Sequence, residues 1–155
     1  MTGECTPGSP AEIVSLFRDE AALYARLEAC AVRQRPLIAE DDAGPLLTVL
    51  AERQRISAKL GVVGAKLAPV RRVWDTLRSR LAPVQRAEVE ALARSTAACL
   101  RRVIERDDQD ARMLSARRQW AARGMRQAHS AGAALSAYRT PSAPGQGQGR
   151  LDEAS

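Results

Sequence analysis

Aromatic residues are scarce in this chain of 155: two Trp, two Tyr and one Phe, a 3% share against 45% hydrophobic residues overall. A core therefore has to be built from Ala, Leu and Val, which favours slender, closely packed helices over a globular domain with aromatic centres. Histidine occurs once, as His129, in a run of Ala, Gln and Ser where a solvated side chain is the plain reading. No Ser or Cys has a His and an acid arranged beside it, so nucleophilic catalysis finds no constellation here. Cys5, Cys30 and Cys99 are odd in number, widely spaced and free of any CxxC pair. That pattern excludes a disulfide framework and zinc-ligand spacing, and leaves Cys30 and Cys99 as small core hydrophobes. No window approaches the roughly 20 apolar residues of a membrane span. Residues 1–10 lack the apolar stretch of a signal peptide, and the expected location is cytoplasmic.

Two further absences concern phosphate and metal chemistry. The run Gly61-Val62-Val63-Gly64-Ala65-Lys66 lacks the GxxxxGK[ST] spacing of a phosphate loop, and no strand precedes it. Asp107, Asp108 and Asp110 diverge around a helix, so they form no metal cluster. Asp108 with Arg112 and Glu90 with Arg94 read instead as acid-first surface pairs four residues apart. No enzyme and no cofactor are expected.

What the chain does have is a heptad seam. Leu46, Val49, Arg53, Ile56, Leu60, Val63, Leu67, Val70, Trp74, Leu77, Leu81 and Val84 alternate at three and four residues, interrupted only by Arg53. Two apolar positions in seven make a narrow stripe that only another helix can bury. The chain reads as something that holds helices, its own or a partner's.

Around this seam the sequence predicts an all-α protein: an antiparallel helical hairpin plus a third long helix, an elongated, coiled-coil-like three-helix bundle. Residues 1–9 are expected to be disordered, residues 10–138 to form the bundle and residues 139–155 to make a flexible Pro/Gly-rich tail. Ser9, Pro10 and Glu12 form a helix start, with Ser9 as N-cap and Glu12 completing a capping box. The first helix should run to about Ala39, with Pro36 kinking or shortening its end. Its apolar face includes Ile13, Leu16, Phe17, Leu23, Tyr24, Leu27, Cys30, Ala31, Leu37 and Ile38. Glu40-Asp41-Asp42-Ala43-Gly44-Pro45 is a tight turn in which either Asp could cap the second helix. Pro69 and Pro83 predict interruptions near Ala68 and Ala82, with a short helical segment between them and Trp74 plugging the end of the bundle. The third helix should run from Pro83 to about Tyr138. Its stripe is Leu92, Leu100, Val103, Ile104, Ala111, Leu114, Ala121, Met125, Ala128, Gly132 and Leu135, bulky as far as Leu114 and thin beyond it. A thin stripe either packs closely within the bundle or leaves a groove for a partner helix.

The formal charge is +6, and with only Lys59 and Lys66 as lysines, arginine supplies nearly all the positive charge. Between Arg101 and Arg126 there are eight arginines against Glu105, Asp107, Asp108 and Asp110. That excess could track a phosphate backbone. The arginines fall all round the helix, however, and the five aromatics form no stacking platform, so a solvated face ranks above nucleic-acid binding.

The order and lengths of these segments resemble the FlgN-like flagellar type III export chaperones. The match lies in a first helix, the acidic turn Glu40-Asp41-Asp42, a second helix with Leu46-Leu47, Leu50 and Glu52-Arg53-Gln54, a hairpin segment and a long last helix. Ala134-Leu135-Ser136-Ala137-Tyr138 before a tail ending in Leu151-Asp152-Glu153 is similar to the tyrosine-bearing end of that family. Two features depart from it: those chaperones are commonly acidic, and Asn-like residues would be expected where Asp107, Asp108 and Asp110 stand.

The resemblance implies a chaperone for terminal helices of hook-associated (hook–filament junction) proteins. Its client-binding residues would be Leu100, Ile104, Ala111, Leu114, Ala121, Met125, Ala128, Gly132 and Leu135, and Tyr138 would touch an FlhA-like export-gate component. Two alternatives stand beside it: a coiled-coil adaptor or homodimer using the Leu46–Val84 seam, and an Arg-rich nucleic-acid binder.

Overall fold

The computed structural model describes residues 8–139, and every regular element among them is an α-helix: α1 (Pro10–Glu40), α2 (Ala43–Arg72), the short α3 (Trp74–Arg78) and α4 (Pro83–Arg139). The protein is an all-α helical bundle. Residues 1–7 of the expected N-terminus over 1–9, and residues 140–155 of the expected tail over 139–155 with its Leu151-Asp152-Glu153 element, lie outside the described residues, and Arg139 belongs to α4.

Local chemistry sets most of the helix ends. Ser9 Oγ accepts from the Glu12 N–H at 3.3 Å, and Glu12 Oε2 accepts from the Ser9 N–H at 2.7 Å, closing the capping box. Helix α1 continues through Pro36 to Glu40, because a proline near a C-terminus removes one hydrogen bond without ending the packing of Gln34 and Ile38 on either side of it. The acidic turn does a different job from the one expected. Asp41 takes the left-handed conformation (φ 58°), so that its N–H reaches the Ile38 carbonyl and the Asp42 N–H reaches the Leu37 carbonyl, closing α1. Asp42 stands at the start of α2 without a side-chain capping bond.

The break expected near Ala68 falls instead at Val73. Helix α2 runs through Pro69 to Arg72, held by the burial of Leu67 and Val70, which lie two residues before that proline and one after it. The second interruption lies where the sequence places it: Ala82 precedes Pro83, the first residue of α4.

The chain divides into two compact units, Met1–Leu114 and Ser115–Ser155. The first contains two apolar clusters. Ile13, Val14 and Phe17 of α1 meet Leu67 and Val70 of α2, Leu77 of α3 and Val89 of α4, with Trp74 packed against the group. Leu27, Cys30 and Ala31 of α1 meet Val49 and Ile56 of α2 and Val103 of α4. The heptad seam is thus consumed inside the chain: Val49, Ile56, Leu67, Val70, Leu77 and Leu81 are buried, while Val84 leaves the seam and lies exposed. This removes the reason for placing a second copy on the seam.

Candidate functional site

Helix α4 presents two adjacent stripes one residue apart in register. Within the first unit, Val89, Cys99, Val103 and Asp110 are buried, with Leu92, Thr96, Arg106 and Met113 half-buried between them, a three-four alternation that faces α1 and α2. Of the expected stripe, Leu92 and Val103 lie on this inner seam, and the large residues Leu100, Ile104 and Leu114 lie one step round the helix. Leu100 is 37% exposed, Ile104 51% and Leu114 46%, and Ala111 is exposed with them. Large aliphatics therefore sit outside while a threonine, an arginine and an aspartate line the inner seam.

The reason is a polar layer across all three long helices. Arg53, the one break in the seam of α2, donates from Nη1 and Nη2 to both carboxylate oxygens of Asp107 at 2.8 and 2.6 Å, and from Nη1 to Gln34 Oε1 at 2.6 Å. Gln34 Nε2 donates to Asp110 Oδ2 and Arg35 Nε to Asp110 Oδ1, each at 3.0 Å. Arg35 Nη2 also reaches Gln109 Oε1 at 2.6 Å. Asp110 is only 2% exposed, and every buried side-chain polar atom among the described residues has a partner. The Asp107 carboxylate raises the Arg53 pKa further, so this guanidinium stays charged. Rotating α4 by one residue to bury Leu100 and Ile104 would carry Asp110 away from Gln34 and shift Asp107 off Arg53, leaving the buried Gln34 and the half-buried Arg53 without their acceptors. The network fixes which side of α4 faces in. Sequence inspection passed over it, although the gap at Arg53 and the acids at 107 and 110 are its visible signal.

Further ion pairs fasten α4 to α1 along the same flank: Arg18 with Glu88, and Arg102 with both carboxylate oxygens of Glu28. The Arg102 hydrogen bonds hold the Glu28 carboxyl down at about 2. Glu90, expected to pair with Arg94 on its own helix, lies 3.5 Å from Arg78 Nη2. Burial raises the pKa of both Cys30 and Cys99, in keeping with inert core thiols.

Beside the exposed stripe of the first unit runs a groove of about 450 Å³. Phe17, Tyr24, Trp74, Ala93, Ala97 and Leu100 supply its apolar lining. Phe17 and Trp74 meet as a tilted pair at 5.9 Å, and the Arg71 guanidinium lies 5.7 Å over the Phe17 ring while bonding Glu20. The floor of the groove is therefore fixed by packing and by an ion pair, whereas Ala93 and Ala97 leave its α4 wall low.

In the second unit, residues 115–139 are helical and exposed apart from half-buried Ala122. Trp120 is 77% exposed, Met125 71%, Leu135 66% and Tyr138 93%. Ala121, Ala128 and Gly132 lie open as well. Polar side chains turn back on the helix itself: Ser130 Oγ donates to the Arg126 carbonyl at 2.9 Å, and Ser136 Oγ to that of Gly132 at 3.0 Å. The charge of the chain is concentrated here. From Ala111 to Arg139 there are six arginines (112, 117, 118, 123, 126 and 139) and no acid, whereas residues 1–110 hold seventeen basic and sixteen acidic side chains.

Among the described residues no helix is long and apolar enough to cross a membrane, and no group of His, Cys, Asp and Glu could hold a metal ion. No protein-family model matches the chain, and no curated protein or solved structure matches it either.

Proposed function

We propose that this chain is a chaperone of flagellar type III export, which holds terminal helices of hook-associated proteins, keeps them soluble and delivers them to the export gate. It acts by binding, without catalysis or a cofactor. One observation carries the reading: the internal core closes without the apolar residues that a client would need. In the first unit Leu100 stays exposed at the edge of a groove and Ile104 and Leu114 stay exposed further along α4, and in the second Met125 and Leu135 stay exposed. In the second unit Ala121, Met125, Ala128, Gly132 and Leu135 alternate at four and three residues, and in the first Leu100, Ile104, Ala111 and Leu114 follow the same line with Asp107 between them. Such a spacing lays side chains along one side of a helix and suits a partner helix in a groove. Small residues at 111, 121, 128 and 132 allow a close approach of backbones, and Met125 adapts to varied surfaces. Tyr138, at the end of α4 and almost wholly exposed, is the contact for the gate component.

The test is the thermal midpoint of the full chain with added fragments spanning the terminal helices of hook-associated proteins from the same genome. A client that binds only the folded chaperone adds about 2.7 kcal/mol at a hundredfold excess over Kd, so the midpoint should rise by several degrees. The double variant Leu100→Ser and Ile104→Ser should lose that rise with its own midpoint little changed. Tyr138→Ala should keep the client and lose the gate component. An unchanged midpoint with every such client would overturn the reading.

A further inference from the structure

We infer that residues 115–139 receive an acidic amphipathic helix of a partner protein, its carboxylates meeting the arginines of α4 and its large aliphatic side chains seating on the small residues between them. The inference rests on the chaperone reading and names the chemistry of the segment that this part of α4 takes.

Two properties of the surface define the ligand. The first is charge. Five arginines lie between Ser115 and Arg139 with no acid among them, whereas residues 1–110 taken together hold seventeen basic and sixteen acidic side chains. A partner that complements this stretch must be anionic. The second is shape. At 100° per residue, Trp120, Gly124, Met125, Gly132, Leu135 and Tyr138 fall within an arc of about 140° that also contains Arg117 and Arg139, while Arg118 borders it and Arg123 and Arg126 stand opposite. The face is about 37 Å long at 1.5 Å per residue. Glycine inside a helix costs about 1 kcal/mol relative to alanine. A Cβ at Gly124 or Gly132 would meet nothing within 4 Å, so the packing of this chain supplies no reason for either. Their use is to admit another backbone.

Other anions fit less of this surface. A nucleic-acid strand would neutralise the arginines and leave Trp120, Met125 and Leu135 in water, and Trp120 and Tyr138 are too far apart, at about 27 Å along the helix, to stack successive bases. A bilayer surface would gain little from a face in which alanine and glycine separate the few large side chains. A second copy would bring the same five arginines against each other. An acidic helix covers the apolar arc and answers the charge at once.

The experiment is a titration of the full chain with a synthetic 25-residue peptide, leucine on one helical face and glutamate on the other, beside a twin in which glutamine replaces every glutamate. The acidic peptide should bind at least tenfold more tightly than its twin and weaken steeply with salt. Arg117→Glu, Arg118→Glu and Arg139→Glu together should cut the affinity at least tenfold and leave the urea midpoint of the bundle unchanged, whereas the lysine versions should retain binding. Equal affinity for the two peptides would overturn the inference, as would tighter binding to phosphatidylserine vesicles or to duplex DNA. Two results separate it from the chaperone reading. Charge-dependent binding of the peptide with no hook-associated fragment bound sinks the chaperone and keeps the acidic helix. Fragments that bind equally well to the charge-reversed chain sink the acidic helix and keep the chaperone.

Discussion

Arg53 sits where a heptad calls for an aliphatic residue, and the substitution that would perfect the seam should damage the protein. Arg53→Leu removes both bonds to Asp107 and the one to Gln34, leaving a carboxylate and an amide oxygen without donors at the edge of the core. Urea denaturation should show a loss of about 1–2 kcal/mol, part of it regained when Asp107→Leu is added, because the buried Gln34 oxygen loses its donor while the Asp107 carboxylate stays partly solvated. Glycines respond in the opposite sense. Gly124→Ala and Gly132→Ala each fill open space and should raise helix content by about 1 kcal/mol per site, measured by circular dichroism of the full chain. If a partner backbone approaches at those positions, the same alanines weaken binding, which sets them apart from a neutral helix-stabilising change.

At the level of elements, the α4 stripes give a contrast that aliphatic size alone would reverse. Val103→Ala and Val89→Ala should each cost about 2 kcal/mol, and Leu100→Ala and Ile104→Ala less than 1 kcal/mol, since only the valines are buried. The existence, order and approximate ends of the helices were legible from the capping box at Ser9, the acidic turn and Pro83. The rotation of α4 was not. It is set by Gln34, Arg35 and Arg53 meeting Asp107 and Asp110, groups 54 to 76 residues apart in sequence, and no local period encodes such a meeting. Pro69 misled for a related reason: the buried neighbours Leu67 and Val70 keep α2 continuous through a residue that breaks a helix in isolation. Leu100, Ile104, Ala111 and Leu114 lie one step round α4 from the buried seam of Val89, Cys99 and Val103, and only the polar layer decides which of the two faces in. Beyond Ser115 the helix has the propensity of Ala, Arg and Gln and no core of its own, and helices of that length are marginal without packing. Amide exchange of residues 115–139 should therefore run orders of magnitude faster than at Leu67 or Val89, and slow when a partner helix is added.

Acid separates the two units of the whole molecule. Glu28, Glu52 and Glu88 have their carboxyl pKa values lowered by hydrogen bonds from Arg102, Arg33 and Arg18, Glu28 from 4.5 to about 2. A carboxylate whose folded pKa is depressed adds stability that is complete above its unfolded value and is lost as pH falls through the folded one. The contribution of these three pairs should be complete above about pH 5 and be lost between pH 4.5 and 2, followed as a fall in thermal midpoint. Each pair is partly solvated, so Glu28→Gln should cost about 1 kcal/mol at pH 7 and flatten the acid limb. Residues 115–139 contain no carboxylate, and their helicity should not follow this titration.

The polar layer at Arg53, Asp107 and Asp110 locks the inner face of α4 to the hairpin within the first unit, and residues 115–139 of the same helix contribute no buried side chain. Selection can therefore act on the two lengths of one helix by separate rules. Changes at the buried positions before residue 114, such as Val89, Val103 and Asp110, are screened by folding. Changes after it are screened only by whatever binds there, so recognition can drift toward a new partner, one arginine or alanine at a time, in lineages whose bundle stays the same.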